Sequence, residues 1–147
     1  MTWPKPYREA DSGIFNSRVY LYNNREKHKK AVEFLGQKEH TPGVGVTQAF
    51  QNEIDGAHVV VIGWFDEDIG TFIHELSHAT FFILDGAGVK IAPDNHEVFC
   101  YLQDYLFEKL WTAPNSKTKT AKTSQLDSSK NGLDLTLSLS PSTLSLK

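Results

Sequence analysis

Two histidines four residues apart, His74 and His78, are the residues whose types and spacing most directly suggest chemistry. Glu75 follows the first of them, so that the segment reads HELSH. Residues four apart on a helix share a face, and two imidazoles one turn apart can bind one Zn²⁺ at about 2.0–2.1 Å each. Glu75 would then act as general base on a zinc-bound water without itself binding the metal. The pattern predicts a zinc site with a hydrolytic glutamate.

A catalytic zinc also needs a third protein ligand and an open position for water. The segment that follows offers Asp94, His96 and Glu97. Glu97 is the preferred ligand, because it lies beside the apolar stripe of the next helix, where an unpaired carboxylate would be costly to bury. His96 is the alternative ligand, whereas Asp94 or Asn95 suits the helix N-cap better. Glu97 also has a structural interpretation, as a first-turn carboxylate that favours the helix dipole.

Other polar residues near the motif have less defined roles. Cys100 could ligate zinc or inhibit as a thiolate, but a free cysteine is more often a small buried hydrophobe. Tyr101, Tyr105 and His58 are candidates to stabilise a transition state. Five aromatic residues around the motif are expected in the core: Phe72, Phe81, Phe82, Phe99 and Tyr105.

Helical periodicity places the motif on a long helix. Asp66 to Asp68 supply acidic residues for its N-terminus, and the pattern ends near Asp85-Gly86. After a loop, Pro93-Asp94-Asn95 opens a second helix over roughly 96–111 that can fold back antiparallel. The apolar repeat of the first helix is Ile69, Phe72, Ile73, Leu76, Thr80 and Ile83. That of the second is Val98, Leu102, Tyr105, Leu106 and Leu110.

Strand signals precede these helices. Residues 18–22 and the very hydrophobic 57–65 read as strands, the latter central. Residues 43–54 alternate only in part, which predicts a strand with one wet face at a sheet edge. Asp55-Gly56 indicates a hairpin between the last two. A helix capped by Asn23 or Asn24 and ended at Gly36 follows the first strand.

Length and composition predict one α+β domain over residues 14–112, with a small mixed sheet packed on the motif helix and the following ligand helix. Residues 1–13 read as a loosely ordered lead-in. Residues 113–147 read as a low-complexity, disordered tail, although LDLTLSL alternates leucine with polar residues.

The net charge of −3 indicates no nucleic-acid partner. A single cysteine and the lack of a signal peptide or membrane-spanning run predict a cytoplasmic protein.

The segments HELSHATFFILDGAGV and DNHEVFCYLQDYL resemble the zincin metallopeptidases of the glutamate-ligand branch. They are more narrowly similar to small phage- and prophage-encoded HExxH proteins, and more distantly to ImmA/IrrE-type peptidases. The resemblance covers residues 68–111. It implies a zincin-like fold, zinc on His74, His78 and Glu97, Glu75 as the base, and an edge strand, here 44–50, that pairs with an extended peptide.

This sequence departs from the family where many members place an aspartate four residues after the ligand glutamate. That position is Tyr101, and the nearest later carboxylate is Asp104, so these two are the candidates to support the zinc ligands.

The sequence is compatible with three functions. The first is a zinc metallopeptidase acting on a peptide or protein substrate. The second is a non-catalytic zinc protein, such as a phage accessory protein, that binds a protein partner. The third is an interaction module acting through its tail, since LDLTLSL resembles the LxLxL motif of plant transcriptional repressors.

Overall fold

The structure is a computed structural model in which residues 2–38, 43–51 and 56–111 are described. These residues form a four-stranded sheet and three α-helices, and a short 3₁₀ turn, Gly13–Phe15, joins the first two strands. The elements in chain order are β1 (Arg8–Asp11), β2 (Ser17–Tyr22), α1 (Arg25–Phe34), β3 (Gly45–Gln51), β4 (His58–Trp64), α2 (Ile69–Gly86) and α3 (Glu97–Leu110). The predicted α+β class with a small mixed sheet is confirmed.

The strands lie side by side in the order β1-β2-β4-β3. The two inner strands, β2 and β4, run parallel, while each outer strand is antiparallel to its neighbour. The sequence prediction of β4 as a central strand is confirmed, and the edge strand predicted over 43–54 is confirmed for Gly45–Gln51, residues 52–54 lying outside the described part. β3 and β4 pair antiparallel, as a hairpin requires, although residues 52–55 between them lie outside the described part.

β1 lies within the segment expected to be a loosely ordered lead-in, and here the structure differs from the prediction. Residues Arg8–Asp11 pair with β2, and the Tyr7 amide extends the pairing by donating to the Leu21 carbonyl at 2.8 Å. Only Ala10 of this strand is buried. An edge strand held by backbone hydrogen bonds needs little apolar alternation, so its sequence carried no strand signal.

The sheet is covered on both faces. α1 packs Ala31 and Val32 against Tyr22 and Val61 on one face. The opposite face bears the larger core, in which α2 and α3 cover apolar side chains of the sheet: Val19, Leu21, Val60, Ile62 and Trp64. Alternate residues of a strand point to opposite faces, so an inner strand between two layers is apolar throughout, as VVVI in β4 is.

Local signals set the ends of α1 and α2 as the sequence predicted. The Asn24 side chain accepts from the Lys27 amide at 3.1 Å, and Asp68 Oδ1 accepts from the amides of Gly70 and Thr71 at 2.8 and 3.2 Å. Gly36 after α1 has a φ of +75°, a conformation that glycine adopts without strain.

The apolar face of α2 is narrower than its periodicity suggested. Phe72, Leu76 and Ile83 are fully buried, but Ile69 and Ile73 are 48% and 42% exposed. These two positions lie on the solvent-facing side of α2, whereas Phe72 in the same turn packs against Trp64 and Phe107.

α3 runs antiparallel to α2, because Phe107 contacts Phe72 at one end and Phe99 contacts Phe81 at the other. Leu102, Leu106 and Leu110 form its buried face, but Tyr105 is 37% exposed, contrary to expectation. Of the five aromatic residues expected in the core, only Phe72 is fully buried. Phe99 is half-buried, while Phe81 and Phe82 belong to the outer surface of the helix pair.

The start of α3 also differs from the prediction. His96, rather than Asp94 or Asn95, holds the N-cap position, and no side chain caps the helix there. Asn95 instead organises the preceding loop, since its side chain accepts from the Ala92 amide and donates to the Lys90 carbonyl, both at 2.7 Å.

No helix in the described ranges is long and apolar enough to cross a membrane. The predictions for the tail, 113–147, lie outside the described residues.

Candidate functional site

The two motif histidines lie on the solvent-facing side of α2, one turn apart. Their Nε2 atoms approach to 3.1 Å and their ring centroids to 4.8 Å. Two nitrogens that bind one tetrahedral Zn²⁺ at about 2.05 Å lie about 3.3 Å apart, so this pair fits a shared metal within a few tenths of an ångström. The same separation also suits one hydrogen bond between two neutral imidazoles.

The second histidine contacts an aromatic ring on the same helix. The His78 ring stacks on Phe82 one turn later, with centroids 6.4 Å apart and an interplanar angle of 23°.

Ser77, on the side of α2 that faces α3, accepts a 2.9 Å hydrogen bond from the side-chain amide of Gln103. The helix that carries the histidines is thereby tied to α3 at the level of the motif.

Glu75 points away from the histidine face toward the edge strand. Glu75 is 7% exposed, and its Oε2 accepts a 2.7 Å hydrogen bond from the hydroxyl of Thr47 on β3. The same hydroxyl lies 3.0 Å from the Glu75 carbonyl oxygen. β3 comes so close that a Cβ built on Gly45 would lie 2.7 Å from both Cγ and Oε1 of Glu75.

A cleft of about 430 Å³ opens between the start of β3 and the first turns of α2. Its walls combine an exposed strand edge, small side chains, one imidazole and the buried carboxylate. The lining residues are Gly43, Val44, Gly45, Gly70, Thr71, His74 and Glu75. Glu75, a potential proton acceptor, and His74, one of the two motif histidines, therefore line the same cleft, which opens along β3.

The expected third ligand lies on the first turn of α3. Glu97 is exposed, and its Oε1 lies 3.4 Å from Nε2 of His96, whose Nδ1 contacts the Pro93 carbonyl oxygen at 2.8 Å. Phe99, two residues later, contacts Phe81, three residues after His78, so this turn of α3 lies near the turn of α2 that follows the motif. Among the described residues, no three His, Cys, Asp or Glu side chains are grouped to hold a metal.

The two tyrosine candidates do not line the cleft beside Glu75. Tyr101 and Tyr105 line a different, apolar cavity of about 520 Å³ against the 3₁₀ turn. Asp104 and Cys100 are exposed on α3, so the expectation that Cys100 behaves as a small buried hydrophobe is wrong.

His58, the first residue of β4, lies beside the C-terminal end of α2. Gly86 is its neighbour there, about 12 Å along the helix from His78 and about 18 Å from His74. Its Nδ1 is 3.0 Å from the Ser17 hydroxyl, and burial lowers the pKa of the imidazole, although nearby Asp85 acts in the opposite direction. This histidine ties β4 to β2 and is too distant to act in the cleft.

Sequence reasoning missed Thr47 and Gly45, which contact Glu75 directly. The signal that could have found them is GVGVT, where a glycine and a threonine two apart must face the same side of a strand. Comparisons of the chain with protein-family models, with curated proteins and with solved structures found no match in any of the three.

Proposed function

We propose that this protein is a zinc-dependent metallopeptidase with a zincin-like domain. The observation that carries the proposal is the convergence of His74 and His78 to 3.1 Å beside a cleft that contains the Glu75 carboxylate. His74 and His78 would hold the metal with Glu97 as third ligand, and Glu75 would be the general base. The resemblance of HELSH and NHEVFCYL to zincins and to phage HExxH proteins supports the same assignment.

A zinc ion held at this position would polarise the peptide carbonyl and lower the pKa of an attacking water. Glu75 would accept a proton from that water and return it to the leaving amine nitrogen. Its burial against β3 suits this role, because the carboxylate keeps one orientation while Oε1 stays at the cleft. Glu97 would first have to leave its contact with His96 and turn toward α2.

The position of β3 at the edge of the described sheet supports a peptide as the substrate. β3 pairs with β4 on one side, and its other edge is unpaired within the described sheet. An extended peptide can add to such an edge through backbone hydrogen bonds, with its side chains contributing selectivity. Because Gly45 belongs to both this edge and the cleft, a bound peptide would run past Glu75 and His74.

Glu75→Gln tests the proposal directly. We expect the variant to keep about one zinc per chain, measured by elemental mass spectrometry, and to lose cleavage of a peptide library, because the amide cannot take a proton. Glu108→Gln, the same change at an exposed position of α3, should cleave like the wild type. Equal cleavage by Glu75→Gln and wild type would refute the proposed mechanism.

A second function is favoured by one specific observation. Tyr101, a candidate to support the zinc ligands, lines the apolar cavity against the 3₁₀ turn and not the cleft beside Glu75. A site without that support suits a zinc protein that binds a partner without catalysis. That protein would bind zinc, cleave nothing and lose its fold on chelation. Finding one specific cut by the wild type would remove this alternative. Retention of full activity after deletion of residues 113–147 would remove an interaction role for the tail.

A further inference from the structure

Gly45 and Thr47 occupy alternate positions of β3, so both face α2. At the first position the strand presents no side chain, and at the second it presents a hydroxyl. Both meet the same partner, the Glu75 carboxylate. The edge strand thus contacts the proposed base at two points, although 28 residues separate Thr47 from Glu75 in sequence.

The Thr47 hydroxyl has one proton to donate and two acceptors within reach. The carboxylate Oε2 lies at 2.7 Å and the Glu75 carbonyl oxygen at 3.0 Å. The carboxylate is the stronger acceptor, because a hydrogen bond to an ionised group is shorter and about twice as strong as a neutral one. A residue as buried as Glu75 needs such a donor, since a buried carboxylate without one is costly.

Gly45 confines the carboxylate from the other side. A Cβ at this position would lie 2.7 Å from Oε1 of Glu75 and 2.8 Å from Cγ2 of Thr71, both inside normal contact distance. The glycine therefore allows β3 to approach α2 closely enough for the Thr47 hydrogen bond. Within the described residues Oε1 has no hydrogen-bond partner, so Oε2 is held and Oε1 is available in the cleft.

We propose that Thr47 is a positioning residue for the general base, acting through its hydrogen bond to Oε2 of Glu75. This inference rests on the proposed peptidase function. With Oε2 engaged, Oε1 is the oxygen that takes and returns the proton. Because Thr47 belongs to the strand that would pair with the substrate, one element sets both the register of the peptide and the orientation of the base.

The test compares Thr47→Val, Thr47→Ser and Thr80→Val in the zinc-loaded full chain. Thr47→Val keeps the shape without the hydroxyl and should lower kcat about 10- to 100-fold, with KM and zinc content nearly unchanged. Thr47→Ser should restore most of kcat. Thr80→Val is the matched control, because it removes a hydroxyl that is buried on α2 and donates to the Leu76 carbonyl, away from the Glu75 carboxylate. Its kcat should equal that of the wild type.

A second measurement, of stability to urea, does not depend on peptide cleavage. The shifts in urea midpoint of Thr47→Val, Glu75→Ala and the double variant form a cycle, and we expect the Thr47→Val shift to shrink by more than half when Glu75 is absent. Additive shifts would overturn the inference. Should Thr47→Val not fold, Thr47→Cys, a weak donor of similar size, takes its place with the same expectations.

The kinetic outcomes separate this inference from the proposal beneath it. An active wild type with an equally active Thr47→Val overturns the positioning role alone. A zinc-loaded wild type that cleaves no peptide overturns the proposed function, and the positioning role with it.

Discussion

His74 and Glu75 are adjacent in sequence, but a helix turns successive side chains by about 100°. The imidazole therefore lies on the solvent-facing side of α2, where it meets His78, while the carboxylate is buried against β3. In the proposed peptidase, this division would let one residue serve as a metal ligand and the next as a base. β3 supplies a hydrogen-bond donor, Thr47, to the Glu75 carboxylate where it meets the strand.

The identity of the third ligand is also a question of single residues. We expect Glu97→Gln to weaken zinc binding at least about tenfold, because a neutral amide is a poor replacement for a carboxylate ligand. Zinc content after dialysis against a weak chelator, by elemental mass spectrometry, gives the answer. Glu108→Gln, the same change at an exposed position of α3, is the matched control and should keep its zinc. Zinc kept in Glu97→Gln but lost in His96→Ala would assign the third ligand to His96.

At the scale of elements, α2 carries both histidines and the proposed base, so the order of its first turn matters for the candidate site. Asp68 caps this turn by accepting from the amides of Gly70 and Thr71, and Thr71 itself lines the cleft. Helix start signals of this kind are local, which is why the acidic segment before the motif predicted the N-terminus of α2 correctly.

Removing the cap should destabilise the domain. We expect Asp68→Ala to lower the free energy of unfolding by about 1 kcal/mol, within the range of N-cap replacements, because two first-turn amides lose their acceptor. Urea unfolding followed by circular dichroism measures the difference. Asp68→Asn keeps an acceptor of the same size and should recover most of the loss. An Asp68→Ala protein as stable as the wild type would mean that the cap contributes nothing to α2.

At the scale of the whole molecule, the cleft forms where two layers meet at the edge of the sheet. α2 and β3 supply its walls, while α1 covers the opposite face of the sheet. At the other end of α2, the buried His58 packs against Gly86 and contacts Ser17 of β2. The parallel pair β2 and β4 is thus tied by a side-chain contact as well as by backbone hydrogen bonds.

His58 makes stability depend on pH in a direction that follows from its lowered pKa. Below the unfolded value of about 6.5 the unfolded chain takes up a proton that the folded protein resists, so stability falls as the pH drops toward the folded pKa. The urea midpoint of the wild type should therefore fall more between about pH 7.5 and about pH 5.5 than that of His58→Gln. Equal falls in the two proteins would show that burial of His58 has no such effect.

The sequence by itself determined the features that depend on local physics. Helix periodicity, the caps at Asn24 and Asp68 and the hairpin between β3 and β4 follow from residues close together in the chain, as does the spacing of HELSH. These patterns also placed β3 at a sheet edge. They suffice for the α+β class and for two helices that pack antiparallel.

Only the tertiary structure decided which surfaces are covered. β1 forms because its backbone pairs with β2, and Phe81 and Phe82 are exposed because none of the described elements covers that side of the helix pair. Thr47 meets Glu75 through the packing of a strand on a helix, a contact that local periodicity does not encode. A sequence pattern reports each residue's preference for burial, whereas the partner that satisfies it is set by long-range packing.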